Sequence, residues 1–189
     1  MNISPSLRNT PIGPMLKHWR VLNRVKQLHA AQMFGVCQST ISRWESGVQD
    51  AEPEQRARIE ALLKARLSSA ADHALARLVS GSSQPVHLVC DLTHRLLACS
   101  SSREAEFSVP VSDLLGVSLW PFATEEIASQ EQRLAGIGWR DNLASPALEF
   151  STGTNDSAVV LIQHSLCRWT RFTLSDGSTA RLVETLAHI

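Results

Sequence analysis

The chain has 189 residues, of which 43% are hydrophobic and 19% are charged, and its formal net charge is zero. This length suits one large domain or two small ones, and the composition excludes a disordered chain. The charge is unevenly distributed: residues 1–49 hold six Lys or Arg against one Glu, a net charge of +5, whereas the residues from 67 onward hold 8 Arg against 13 Asp or Glu, a net charge of −5. A basic N-terminal part ahead of an acidic C-terminal part indicates that the N-terminal part contacts a polyanion.

The N-terminal part is predicted to be helical after a loose arm at residues 1–13, which contain Pro5, Pro11 and Gly13. Apolar residues at three- and four-residue spacing predict four helices, each bounded by a proline or a glycine. These helices are expected at 14–23, 26–34, 38–46 and 53–67.

The apolar face of the fourth helix is predicted to continue into a connecting helix. Apolar residues recur at helical spacing along a stripe formed by Ile59, Leu63, Leu67, Ala70, Ala74 and Leu78. A segment rich in Ser, Gly and Pro at 80–85 then interrupts the helix. The expected organisation is the arm at 1–13, a helical domain at 14–66 (the head), a connecting helix and linker at 67–82, and a second domain at 83–189 (the body).

The body begins with two short strands predicted at 86–91 and 95–100, a hairpin pattern. Helical segments are expected at 111–122 and 124–136, the second with Thr124 as its N-cap and acidic residues in its first turn. Four further segments have strand character: 146–152, 157–166, 168–174 and 179–186. A hairpin turn is expected at Asp176-Gly177, between the last two.

The second and third helices of the head, joined by a turn that begins at Gly35, form a helix-turn-helix pattern. In this arrangement the second helix of the pair lies in the major groove of DNA. Helical periodicity directs Ile41 and Trp44 inward and places four polar side chains on one outward face: Gln38, Ser39, Ser42 and Arg43. Gln can pair with adenine and Arg with guanine through two hydrogen bonds each, and Ser suits either base.

Residues 15–63 resemble the phage repressor/Cro class of DNA-binding domains, often called Xre-like, most clearly in the stretch "QLHAAQMFGVCQSTISRWESG". The resemblance implies that Gln38, Ser39 and Arg43 face bases and that Gln27 touches a phosphate. Arg20 and Glu45 stand where the family has a structural ion pair. Two departures from the family pattern are Lys26, in place of a capping hydroxyl, and Ala30, in place of a leucine. Lys26 and Thr40 are further expected phosphate contacts.

Several activities are excluded for the body by its residue content. It contains no lysine, so it cannot hold the Ser–Lys dyad of self-cleaving repressors, and it has no His-x-His cluster for a cupin metal. The order of hairpin, short helices, longer helix and antiparallel strands over residues 85–186 resembles the PAS sensory fold, with "LLGVSLW" and "LSDGS" as suggestive local pieces. The fold class expected for the whole chain is therefore α+β.

No metal or cofactor is expected, and the protein is not expected to be an enzyme. The four cysteines show no metal-ligand spacing and are interpreted as small apolar residues of a reduced protein: Cys37, Cys90, Cys99 and Cys167. His94 and His164 are the histidines considered as haem ligands, but a lone strand histidine is more often structural. The longest apolar stretch, 158–162, is too short to span a membrane, and the N-terminus does not resemble a signal peptide, so a cytoplasmic location is expected.

The leading hypothesis is a sequence-specific transcriptional regulator of the repressor type that binds a palindromic operator as a homodimer. The PAS-like body would dimerise, or would sense a small-molecule effector or a partner protein, and the apolar stripe would set the spacing of the two heads. The alternative is a PAS-like adaptor whose head docks another regulator rather than reading double-stranded DNA.

Overall fold

The computed structural model describes residues 12–140 and 145–189. Five helices come first: α1 (Ile12–Leu22), α2 (Gln27–Phe34), α3 (Gln38–Glu45), α4 (Pro53–Leu63) and α5 (Ala70–Ser80). The body follows with strands β1 (Val86–Cys90) and β2 (Leu96–Cys99), short helices α6 (Ser101–Glu104) and α7 (Val111–Leu114), a 3-10 turn at Trp120–Phe122, helix α8 (Glu125–Arg133) and a second 3-10 turn at Ala135–Ile137. Strands β3 (Leu148–Ser151), β4 (Ser165–Thr173) and β5 (Thr179–His188) complete the described chain.

Helix α1 begins two residues earlier than the sequence predicts. Gly13 is therefore helical and buried rather than part of a loose arm, whose first eleven residues lie outside the described part of the chain. A β-carbon at Gly13 would collide with the backbone carbonyl oxygen of Trp44 in α3. The absence of a side chain at Gly13 thus allows α1 and α3 to pack backbone to backbone.

The predicted continuous helix from the head into the body is wrong, because α4 ends at Leu63 and α5 begins only at Ala70. At the start of α5, the Ser69 side chain accepts a hydrogen bond from the Asp72 amide, and the Asp72 carboxylate accepts one from the Ser69 amide. This reciprocal capping box starts a new helix. The apolar stripe is consequently divided, with Ile59 buried in the head and Leu78 75% exposed on α5.

The body contains a five-stranded antiparallel sheet in the order β2-β1-β5-β4-β3. Two strands, a helical middle and three closing strands are the arrangement that the PAS resemblance implies, so the expected α+β class is confirmed and the body is PAS-like. Thr124 caps α8 as predicted, since its hydroxyl accepts a hydrogen bond from the Ile127 amide.

Two predicted body elements differ from the structure. Residues 157–164 form a loop rather than a strand, because the Ser157 hydroxyl and the Asn155 side chain bond the backbone of this segment in place of a neighbouring strand. The predicted helix at 111–122 is interrupted at Gly116, which has a φ of 75°. There the chain turns to pair with the start of β2 through the bridge between Arg95 and Ser118.

The two faces of the sheet have different neighbours. Leu88, Cys90 and Ala180 point to one face and belong to the same hydrophobic cluster as Leu16 and Ile41 of the head. Head and body therefore share one core, with α5 packed on β1 and β2. The other face is directed toward the helices and 3-10 turns that lie between β2 and β3 in the chain. Within the described residues no helix is both long and apolar enough to cross a membrane.

Candidate functional site

Helix α3 presents a polar outer face, here called the α3 face and formed by Gln38, Ser39, Ser42 and Arg43. All four side chains are exposed. On the opposite side of the same helix Ile41 is 0% and Trp44 3% exposed, and Phe34 of α2 packs edge-on against Trp44. The eight-residue helix is thus anchored on one side and open to solvent on the other.

An ion pair from α1 fixes the C-terminal end of α3. The Arg20 guanidinium donates to both carboxylate oxygens of Glu45, at 2.7 Å from Nε and 3.0 Å from Nη2, and a third bond joins Nη1 to the Val25 carbonyl oxygen at 2.9 Å. Glu45 is 6% exposed. The hydrogen bond with Glu45 raises the pKa of Arg20, against a smaller opposing effect of burial. Arg20 and Glu45 therefore form a largely buried ion pair that joins α1 to the end of α3.

The expected phosphate contacts lie around the start of α2 and α3. Gln27 is half-buried: its Nε2 donates to Glu45 Oε2 at 2.8 Å, and its Oε1 lies 3.5 Å from Gln38 Nε2. Lys26 is exposed at the N-cap of α2 and makes no capping hydrogen bond. Thr40 is half-buried and accepts a hydrogen bond from Arg43 at 3.3 Å. Gln27 thus connects the ion pair to the α3 face.

Cys37 differs from the expectation for the cysteines. Cys90, Cys99 and Cys167 are buried, but Cys37 is exposed at the N-cap of α3. Its Sγ lies 3.0 Å from the hydroxyl oxygens of both Ser39 and Thr40, and hydrogen bonds from these groups lower the pKa of the thiol to about 7. The signal in the sequence was its position directly before a helix of polar residues.

The turn between β4 and β5 touches the head. The backbone carbonyl of Asp176 accepts hydrogen bonds from the Trp19 indole and the Asn23 amide of the α1 region, each at 3.1 Å. The Asp72 carboxylate of α5 accepts hydrogen bonds from the amide and hydroxyl of Ser175, at 3.0 and 2.9 Å. Burial favours a higher pKa for Asp72, but these hydrogen bonds outweigh it and lower the pKa. The β4–β5 turn therefore forms hydrogen bonds with both the α1 region and α5.

A cavity of about 90 Å³ lies between the sheet and the helical middle of the body. Its wall is mostly apolar, with side chains that include Val89, Leu119, Phe122, Ile127, Val160 and Val183. Trp120 and Trp169 also line it, so these tryptophans form a pocket wall as well as packing in the body, whereas Trp139 is fully buried. His87, Arg103 and Arg181 are polar members of the wall.

A buried ion cluster lies behind the cavity and consists of Asp91, Glu131, Arg140 and Arg181. Arg181, 1% exposed, donates to Asp91 Oδ1 at 2.8 Å and to Glu131 Oε2 at 2.7 Å. Arg140 donates to Glu131 Oε1 at 2.5 Å. The Arg181 guanidinium also stacks over the Trp169 ring at 4.2 Å. Sequence reasoning missed this cluster, and its one local signal was an arginine within the apolar strand β5.

The charges in the cluster support one another. Burial is the largest effect on both Asp91 and Glu131 and favours a higher pKa. The nearby cationic groups, led by Arg181 and including Arg140, together outweigh burial, so the pKa of each carboxyl lies below its ordinary value. Burial disfavours the charged form of Arg181, but the two carboxylates raise its pKa overall. All three groups therefore remain ionised inside the body.

The two histidines considered as haem ligands have different surroundings. His94 lines the cavity and stacks on Trp120 with ring centroids 4.7 Å apart, and its Nε2 lies 3.4 Å from Glu131 Oε2. His164 is exposed and bonds the Ser151 hydroxyl at 2.6 Å. Among the described residues, no group of three His, Cys, Asp or Glu side chains is placed to hold a metal ion.

No protein-family model and no curated protein matches this sequence. Among solved structures, the chain is similar to a PAS domain of an HTR-like protein from Haloarcula marismortui, with 18% identity over 73% of this chain and 100% of that one and a TM-score of 0.45. It is also similar to the PAS domain of BvgS from Bordetella pertussis, with 14% identity over 62% of this chain and 84% of that one and a TM-score of 0.37.

A third similar structure is an RNA-binding light-oxygen-voltage receptor, with 11% identity over 95% of this chain and 59% of that one and a TM-score of 0.43. At such identities and TM-scores the matches assign neither a ligand nor an activity to this chain. The PAS-like description of the body follows from its own strand order.

Proposed function

We propose that the protein is a sequence-specific transcriptional regulator of the repressor type, with an Xre-like helix-turn-helix head and a PAS-like sensory body. The observation that carries this proposal is the α3 face, where four exposed polar side chains stand on a helix whose other side is anchored in the core. Side chains that add nothing to a core are suited to hydrogen bonding with base edges in the major groove.

The head is also suited to the phosphate backbone. Residues 1–49, which comprise the arm and most of the head, carry a net charge of +5, and Glu45 is their one acidic residue. Lys26 and Gln27 at the start of α2, together with Thr40, are the proposed phosphate contacts, while Gln38, Ser39, Ser42 and Arg43 read bases. Gln27 is held by Glu45, so the Arg20–Glu45 pair orients a phosphate contact as well as α3.

Dimerisation and sensing are assigned to the body. One head reads few base pairs, and two heads on one face of the duplex must be about 34 Å apart or a multiple of that. A homodimer joined by residues beyond about 66 would provide this spacing and would select a palindromic operator. An effector in the cavity would reach the head through the sheet and the β4–β5 turn, which bonds Trp19 and Asn23.

The test is selection of bound duplexes from a random pool by the full chain, followed by titration of the selected site at several salt concentrations. We expect a palindromic site and a steep fall in affinity with salt, because phosphate contacts release counterions. Sedimentation of the same preparation should show a dimer. A failure to select any sequence, with affinity unaffected by salt, would overturn the proposal and favour a head that docks a protein.

Arg43→Ala tests the base-reading role within the full chain. We expect a loss of about 1–3 kcal/mol on the selected site and relaxed preference at one base pair, with little change on random DNA. Arg133→Ala, an exposed arginine on α8 of the body, is the matched control and should bind like the wild type. An equal loss on selected and random duplexes would exclude Arg43 as a base contact.

A further inference from the structure

We propose that the cavity of the body takes a small, uncharged, largely apolar molecule carrying one hydrogen-bond-accepting oxygen, such as a carbonyl group. This inference rests on the sensory role proposed above and names the chemical class of its ligand. It follows from three properties of the cavity: its size, buried nitrogens without hydrogen-bond partners, and the balance of charges in its wall.

The size of the cavity limits the ligand. The cavity volume of about 90 Å³ is several times the ~10–15 Å³ that one water molecule needs, so the cavity has room for a small organic molecule. Most of the wall is apolar or aromatic, including Leu119, Phe122, Val160 and Trp169. A ligand of this size gains most of its binding free energy from burying apolar surface, with few polar groups to fix its orientation.

Three side chains in the wall hold a buried nitrogen with neither a hydrogen bond nor an ion pair in the structure: Nδ1 of His87, Nδ1 of His94 and Nε of Arg103. Their residues are 7%, 7% and 9% exposed. A buried polar group without a partner is costly, and in native proteins it usually bonds a ligand or an ordered water. Nε of Arg103 can only donate, and a neutral imidazole can donate from Nδ1, so these nitrogens match an accepting oxygen.

The charges of the wall are already paired. The Arg103 guanidinium forms an ion pair with Glu106, and Arg181 is neutralised by Asp91 and Glu131. Burial, together with the nearby charge of Arg103, lowers the pKa of His87 well below its ordinary value, so its imidazole is neutral near pH 7. A carboxylate or ammonium ligand would bring a buried charge without a counter-charge, whereas an uncharged carbonyl compound would not.

The position of His87 gives such a ligand a route to the head. His87 and Val89 of β1 point into the cavity, while Leu88 and Cys90 of the same strand pack in the core shared with the head. The neighbouring strand β5 has the same alternation, with Arg181 and Val183 in the cavity wall and Ala180 in the shared core. A ligand in the cavity therefore contacts β1 and β5, the strands whose opposite faces pack in the core shared with the head.

The experiment is isothermal titration calorimetry of the full chain with four probes of matched size: acetophenone, ethylbenzene, benzoate and benzylamine. We expect acetophenone to bind about tenfold more tightly than ethylbenzene, since its oxygen completes the buried hydrogen bonds, and the two charged probes to bind more weakly than either. Equal affinity for acetophenone and ethylbenzene, preference for a charged probe, or no binding of any probe would overturn the proposal.

Variants test the roles of the His87 and Arg103 nitrogens. His87→Leu and Arg103→Met should each reduce the advantage of acetophenone over ethylbenzene, while Arg133→Met, an exposed arginine outside the cavity, should preserve it. If Arg103→Met fails to fold because Glu106 loses its partner, His87→Leu alone decides the outcome. An unchanged advantage in His87→Leu would refute the role of this nitrogen.

The same preparation is titrated with the selected DNA site, so the two proposals fail separately. DNA binding without any probe binding would refute the ligand class while the regulator stands. Acetophenone binding without DNA binding would refute the regulator while the ligand class stands.

Discussion

Replacing Arg181 with methionine removes the central cation of the buried ion cluster and keeps an unbranched apolar stem. Arg181 is 1% and Asp91 0% exposed, and both Asp91 and Glu131 accept hydrogen bonds from the Arg181 guanidinium. The variant Arg181→Met would therefore leave two buried carboxylates facing Arg140. It would also remove the stacking over Trp169 at 4.2 Å.

Removing one member of a buried ion pair costs about 3–5 kcal/mol, because the charge of the partner stays buried without compensation. In a chain of this size each kcal/mol lowers the Tm by about 2–4 °C, so the expected loss is about 6–20 °C. Arg168→Met is the matched control on the adjacent strand β4. Arg168 pairs with Glu149 at the surface, so this variant should melt like the wild type.

The pH dependence of the stability loss in Arg181→Met distinguishes an electrostatic effect from a packing effect. In the wild type, burial favours a higher pKa for Asp91, but the nearby arginines, led by Arg181, together outweigh burial and lower the pKa. The carboxylate therefore contributes stability above about pH 4 that is lost as the pH falls through the folded-state pKa. Without Arg181, burial dominates and the pKa of Asp91 rises. Protonation of Asp91 then removes its unpaired buried charge, so the variant loses less stability in mildly acidic solution than at pH 7.

The measurement is the Tm of wild type and variant by scanning calorimetry between pH 4 and pH 7. We expect the difference between them to be largest at pH 7 and to narrow toward pH 4. A difference that stays constant over this range would refute the electrostatic reasoning and indicate a packing effect. Equal Tm values at pH 7 would refute any stabilising role of Arg181.

Three further predictions concern the head. Gly13→Ala should lower the Tm, because its new β-carbon collides with the Trp44 carbonyl oxygen, and a Tm equal to the wild type's would contradict the close packing of α1 and α3. Arg20→Ala should lower both the Tm and DNA affinity, since Glu45 is left buried and unpaired, whereas lost affinity at an unchanged Tm would make Arg20 a DNA contact. Iodoacetamide should modify Cys37 first, at a rate that rises as the pH passes about 7, and mass spectrometry finding another cysteine modified first would contradict its exposure and lowered pKa.

Much of the head could be predicted from the sequence, because its determinants are local. Glycine can adopt the left-handed conformation that ends a helix, and Gly35, with a φ of 68°, ends α2 as predicted. Helical periodicity likewise separated Ile41 and Trp44 from the α3 face, since a period of 3.6 residues assigns each side chain to one side. In the body, alternating patterns and turn residues predicted the hairpin of β1 and β2 and the turn between β4 and β5, but most of the strand predicted at 157–166 is a loop.

Tertiary structure decided what depends on residues far apart in the chain. The apolar stripe from Ile59 to Leu78 satisfies helical periodicity, yet a serine–aspartate capping box and hydrogen bonds from Ser175, more than a hundred positions away, divide it into two helices. The ion cluster unites Asp91, Glu131, Arg140 and Arg181 from separate elements. A charged residue can be buried only where its counter-charge is brought beside it, and periodicity along the chain carries no information about such distant partners.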